Sequence, residues 1–196
     1  MHQPSEKRVL AVSAHPDDVE FTSGGSIARW RDEGWAVHLA VCTDGGKGSH
    51  DPMAEPARLA ARRREEQLAA AEVLGIAEVV FLDYPDGELN RAPDPSGSSP
   101  SGPSLVAELT RLIRRFRPQR VLAWDAWRRY ELHPDHRAAG LATLDAVLAA
   151  GNPHYLRTQS RERSIHDEAE QCVPGELRSR FRPGRGAHHR GGAPDP

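Results

Sequence analysis

Cysteine is nearly absent from this chain. The two that occur, Cys42 and Cys172, stand far apart in sequence. They make no disulfide framework, and so sparse a use of cysteine fits a reducing compartment. Also missing is any apolar run near the roughly 20 residues that a membrane helix needs. The polar start, Met1 to Lys7, is not followed by a run long enough for a signal peptide. The first apolar stretch, Val9 to Ala14, has the size of a strand. An excess of charge is lacking too. The formal net charge of −2 argues against bulk attraction to nucleic acid or to an anionic membrane surface. Together these absences point to a soluble, cytoplasmic protein. They leave open whether it forms a homo-oligomer.

What is present is an alternation. At 196 residues the chain is long enough for one domain with its own core. Residues 8 to 14, 35 to 42, 78 to 82 and 120 to 125 read as short, nearly continuous apolar strands. Such strands are expected in a sheet covered on both faces. Between them lie helical patterns over about 17 to 33, 55 to 74 and 104 to 116, and a last one runs from about Pro134 to Ala150. Gly34, Gly75 and Arg117-Pro118 supply stops, and Ser104 supplies a cap. Strand and helix alternate four times, which is the pattern of a Rossmann-like parallel α/β sheet sandwiched by helices. A Pro/Ser/Gly stretch, residues 91 to 103, reads as a loop.

Two segments carry chemistry. Ala14-His15-Pro16-Asp17-Asp18 follows the first strand, and His133-Pro134-Asp135-His136 follows the fourth. In parallel sheets ligands sit at the carboxyl ends of strands, where strand order reverses. With the order 3-2-1-4, strands 1 and 4 are neighbours and the two segments face each other. Imidazole and carboxylate both suit zinc. His15, Asp18 and His136 are therefore candidate metal ligands, three protein donors that leave a position open for water. Asp17 is the adjacent carboxylate, free to act as a general base. His133 can point into the same cleft as acid or oxyanion donor. Asp135 can orient a histidine from behind the ligands. A strand-end aspartate is often only a helix cap, so the weight rests on the recurrence of His-Pro-Asp after two different strands.

The segments AHPDDVEFTSGGSIA, TDGGKGS, RRREEQLAAAEVLG, DYPDGEL and HPDHRAAGLATLDAVLAAGNPHY, in that order, resemble the PIG-L/LmbE family of zinc-dependent N-deacetylases. The resemblance covers residues 8 to about 155. It implies a Rossmann-like fold and hydrolysis of the N-acetyl group of an N-acetylglucosamine-type conjugate, giving acetate and a free amine. It further implies Zn2+ (with Fe2+ or another divalent ion also compatible with His and Asp donors) on His15, Asp18 and His136. Asp17 is implied as general base, and His133 as the group that stabilises the oxyanion or protonates the amine. Arg63 is implied to reach the sugar conjugate, although it can equally pair with Glu66 along one helix face. Asp44 and Asp86 lie in loops at the same edge and can meet sugar hydroxyls, but Asp-Gly turns need no ligand to explain them. A zinc amidase acting on a thiol-sugar conjugate would use the same ligands. So would a truncated remnant that binds metal without a working pocket.

The resemblance stops after His154-Tyr155. Residues 1 to 155 read as the deacetylase domain. From residue 156 to 196 the chain is dense in Arg, Gly, Pro and His, with Ile165, Val173, Leu177 and Phe181 isolated among them. That composition predicts a segment unable to bury enough apolar surface to fold. A natural disordered extension, a basic arm for a partner and an out-of-frame translation all fit. The third is favoured by the abrupt end of the resemblance, and it would leave the sheet short of one or more C-terminal strands. Translating the gene in its other two frames tests it. A family-like strand and helix should surface in one of them, and their absence from both would end the idea.

Overall fold

The structure, a computed structural model, describes residues 7–91 and 104–156. The expected tail, apart from Leu156, and nearly all of the Pro/Ser/Gly loop lie outside the described residues. Four strands, β1 (Arg8–Ser13), β2 (Ala36–Thr43), β3 (Glu78–Tyr84) and β4 (Arg120–Leu122), form one sheet in the order β3-β2-β1-β4. Every pairing is parallel. This is the 3-2-1-4 order on which the facing of the two His-Pro-Asp segments depends.

The period-2 geometry of β1 sorts its residues between two cores. Val9 and Ala11 join Val37, Leu39 and Val41 of β2 beneath α1 (Asp18–Asp32) and α2 (Pro56–Leu74), where Val19, Ile27 and Ala71 pack. Leu10 and Val12 join Ala40 and Cys42 beneath α3 (Leu105–Phe116) and α4 (Pro134–Gly151), where Leu109, Leu112, Ala139 and Ala146 pack. β1 is thus covered on both faces, as its unbroken apolar run requires. Ser104 caps α3 by accepting from the Ala107 N–H at 3.2 Å. Among the described residues no helix is long and apolar enough to cross a membrane.

β4 departs from expectation. The apolar pattern predicts a strand to Asp125, yet pairing with β1 stops at Leu122. The chain turns there because Asp125 Oδ1 accepts the Trp127 N–H at 3.0 Å and its carbonyl accepts from Arg128 at 3.2 Å. The Trp124 side chain thereby leaves the sheet and joins the site.

α4 crosses this turn closely at Gly140. A Cβ there would lie 2.5 Å from the Trp124 carbonyl oxygen. Backbone cannot yield as a side chain can, so Gly140→Ala should cost about 1–3 kcal/mol in overpacking, partly offset by roughly 1 kcal/mol of helix propensity. A lower urea midpoint checks this; an unchanged or raised midpoint would show that the turn gives way freely.

Candidate metal and catalytic site

Both chemical segments begin where a strand ends, and the strand order brings them together. The bend after β1 is closed by Asp18 Oδ2, which accepts the backbone N–H groups of Ala14 and His15, each at 2.9 Å, and the indole N–H of Trp124 at 3.2 Å. Asp18 is therefore no helix cap: it folds its own turn and leaves Oδ1 facing His136 Nε2 at 3.4 Å. The nearest approach of His15 Nδ1 to Asp18 is 3.7 Å, to Oδ2.

His15, His133 and His136 cluster with ring centroids 4.5 to 5.2 Å apart. His15 is almost wholly buried. Its Nε2 lies 3.2 Å from Asp86 Oδ1 and 3.3 Å from Asp135 Oδ2, yet it is aligned for a hydrogen bond with neither. Two sets of potential ligand atoms, one on His15, His133 and His136 and one on His15, Asp86 and Asp135, each lie within 4.8 Å of one another. A buried imidazole nitrogen without a hydrogen bond, ringed by carboxylates and two more imidazoles, is a donor set that fits a divalent cation.

The electrostatics follow from this crowding. Burial by itself lowers the pKa of His15, but the Asp18 and Asp86 carboxylates beside it overcome this and push the value up to about 10. Burial acts on Asp18 in the opposite sense, and the histidines hold its carboxyl well below the usual carboxylate range. The Asp86 carboxyl is lowered as well, chiefly by His15. His136 is raised, its burial being outweighed by Asp18 and Glu131. His133 moves the other way. Burial and the nearby His15 and His136 lower it, which favours a neutral ring.

His133 caps α4, its Nδ1 accepting the Asp135 N–H at 3.2 Å. A neutral imidazole that accepts at Nδ1 carries its proton on Nε2. Asp135 is fully buried and accepts from Gly87 and Leu89, so it ties the loop after β3 to the start of α4.

Asp17 stands apart in conformation. Its φ of +86° lies in the left-handed region, and its side chain makes no capping bond. Asp tolerates this region better than most residues, but the strain still needs holding. Gln67 Oε1 accepts the Asp17 N–H at 2.9 Å, and Arg63 grips Oδ2 at 2.9 Å. Arg63 does not pair with Glu66, whose partner is Arg62. The Arg63 guanidinium instead donates to the carbonyls of Gly45 and Pro16 as well as to Asp17. Gly45 and Gly48 leave it the space, since a Cβ at either would lie within 2.7 Å of Nη1.

Asp44 builds its own turn through the Gly46 N–H and also accepts from Asp86. Two participants carry no motif of their own. Glu131 Oε1 lies 3.0 Å from His136 Nδ1, and Trp124 stacks on His136 with centroids 3.8 Å apart and planes 7° from parallel. Trp124 reads in sequence as one more strand residue, and Glu131 falls between the fourth strand and the last helix, outside every motif.

The family model described as PIG-L, GlcNAc-PI de-N-acetylase, matches residues 10–147. The chain belongs to the PIG-L family. A diacetylchitobiose deacetylase of Thermococcus kodakarensis is 38% identical over 152 residues, spanning 78% of this chain and 53% of that protein. A 1D-myo-inositol 2-acetamido-2-deoxy-alpha-D-glucopyranoside deacetylase of Kineococcus radiotolerans is 34% identical over 168 residues, spanning 74% and 46%. Among solved structures, an N,N'-diacetylchitobiose deacetylase from Pyrococcus horikoshii in complex with an inhibitor superposes with a TM-score of 0.70 at 34% identity, over 79% of this chain and 54% of that one. This PIG-L chain thus spans about half the length of the relatives it matches.

Proposed function

We propose that this PIG-L protein is a metal-dependent hydrolase that removes the N-acetyl group from an N-acetylglucosamine-type conjugate in the cytoplasm. The observation that carries the reading is the convergence of His15, Asp18, His133 and His136 at one sheet edge. The deacetylase names of the relatives support the substrate class.

His15, Asp18 and His136 would hold the ion, for which the donor set favours Zn2+. When bound, it supplies Lewis acidity, polarising the amide carbonyl and making water a better nucleophile near neutral pH. Asp17 accepts the proton of the attacking water as the oxygen–carbon bond forms. His133, neutral and protonated at Nε2, donates a hydrogen bond to the oxyanion that develops on the carbonyl oxygen. The carbon–nitrogen bond then breaks as the nitrogen takes back the proton that Asp17 accepted, and acetate and amine leave. Asp86 and Asp135 flank His15 Nε2 at 3.2 and 3.3 Å and lend negative charge to the site.

Acetate release from a panel of N-acetylglucosamine conjugates, alongside metal analysis of the purified chain, tests the reading. Zinc with acetate release supports it. Zinc without release from any conjugate would identify a metal-binding remnant, and cleavage confined to thiol-sugar amides would move the protein to that substrate class.

A pH dependence follows. In the metal-free protein the raised His15 keeps its proton at pH 7, stabilising the fold below the ordinary value near 6.5 and losing that contribution as pH climbs through about 10. A ligand histidine must shed that proton. Zinc uptake at pH 7 should therefore release protons, and apparent affinity should rise between pH 6 and 8. Calorimetry in buffers of different ionisation enthalpy measures the release; uptake with no proton exchange would contradict the assignment of His15.

A further inference from the structure

We propose that Glu131 is a positioning residue for the metal centre. It takes up the Nδ1 side of His136, so that Nε2 is the nitrogen committed to the ion, and Trp124 keeps the ring in that plane. The proposal rests on the reading of His136 as a metal ligand.

An unconstrained imidazole can present either nitrogen, because its tautomers interchange and its ring turns. At His136 the two nitrogens have different neighbours. Nε2 faces Asp18 Oδ1 at 3.4 Å, and Nδ1 faces Glu131 Oε1 at 3.0 Å. A carboxylate accepts and never donates, so the bond to Glu131 requires the proton on Nδ1 and leaves the Nε2 lone pair for a metal.

Glu131 is itself fixed. Its Oε1 also accepts the His133 N–H at 3.2 Å, its N–H donates to the Arg128 carbonyl at 3.1 Å, and its own carbonyl accepts from Arg137 at 2.8 Å. The side chain is only 12% exposed, so water competes weakly for it. One carboxylate oxygen thus spans the backbone at His133 and the ring of His136, which places both histidines of the second segment from a single point.

Trp124 closes the opposite constraint. Its indole lies flat on the His136 ring at 3.8 Å, which blocks rotation, and its N–H bonds Asp18 Oδ2 at 3.2 Å. Two expected ligands that come from different strands are therefore braced by one side chain. A carboxylate behind a ligating histidine is a common metal-site device, and its loss typically weakens metal affinity 10- to 100-fold.

Zn2+ affinity of the full chain, measured by competition with a chromogenic chelator, tests this with Glu131→Leu, Glu131→Gln and His136→Ala. Proton-coupled 15N spectra of the zinc-loaded protein report which nitrogen of His136 carries hydrogen. Glu131→Leu should bind zinc about 10- to 100-fold more weakly and lose the Nδ1–H signature. Glu131→Gln, which keeps an acceptor but not the charge, should fall between, and it decides the matter alone if the leucine variant does not fold. Wild-type affinity and an intact Nδ1–H signal in the Glu131 variants, with zinc lost from His136→Ala, would overturn the positioning role and leave the metal reading standing. Unchanged zinc affinity in His136→Ala would overturn the metal reading, and the role of Glu131 with it.

Discussion

Asp17→Asn should keep its zinc and lose turnover by about 10²- to 10⁴-fold, the range by which a positioned general base accelerates a reaction. The substitution is a clean probe because asparagine tolerates the left-handed backbone at φ +86° as aspartate does. Its carbonyl oxygen can still accept from Arg63, and the backbone N–H can still reach Gln67. Asparagine cannot take up a proton. A loss of turnover with bound zinc unchanged therefore isolates proton transfer, whereas a parallel loss of both would recast Asp17 as a support for the turn that carries His15 and Asp18. Metal content by mass spectrometry and acetate-release kinetics on the same preparation separate the outcomes. Full activity would remove Asp17 from the mechanism.

The sheet was legible because each strand is a short apolar run with a helix pattern behind it, and β1 in particular is apolar on both of its faces. The neighbourhood of β1 and β4 follows from the strand order that the alternation implies. The contacts that tune the site were not legible. Asp86 reads in sequence as half of an Asp-Gly turn at the ligand edge of the sheet, able at most to meet a sugar hydroxyl, and Gly87 does adopt φ +78° there. That the same carboxylate also faces His15 depends on how the loop after β3 meets α4, which no local pattern records. Arg63 has three acceptors contributed by two loops, while its sequence neighbourhood offers only a helix-surface pair. Trp124 looked like strand because its apolar run continues to it; an Asx turn at Asp125 ends the strand earlier. Periodicity reports which face a residue takes, whereas turns and crossings decide which side chains meet.

Asp135→Ala should cost about 3–5 kcal/mol of stability, the usual penalty for breaking a buried charged network. The carboxylate is wholly inside the protein. Removing it leaves the N–H groups of Gly87 and Leu89 without their acceptor; Leu89 is buried, and an orphaned buried donor costs roughly 1–3 kcal/mol, whereas Gly87 is exposed and loses less. It also takes one of two carboxylates from beside His15 Nε2. Two effects oppose the loss. Alanine is the better helix former at the start of α4, by some tenths of a kcal/mol, and the crowding of Asp135 with Asp86 is relieved. Neither matches the loss of a wholly buried carboxylate together with an unsatisfied donor at the buried Leu89. Against a typical domain stability of about 5–15 kcal/mol, the variant should sit near the edge of folding. Urea unfolding with and without zinc distinguishes the causes. The bonds to Gly87 and Leu89 need no metal, so most of the loss should persist after zinc is stripped. A deficit that vanishes in the metal-free protein would mean that Asp135 acts on stability only through His15 and the ion.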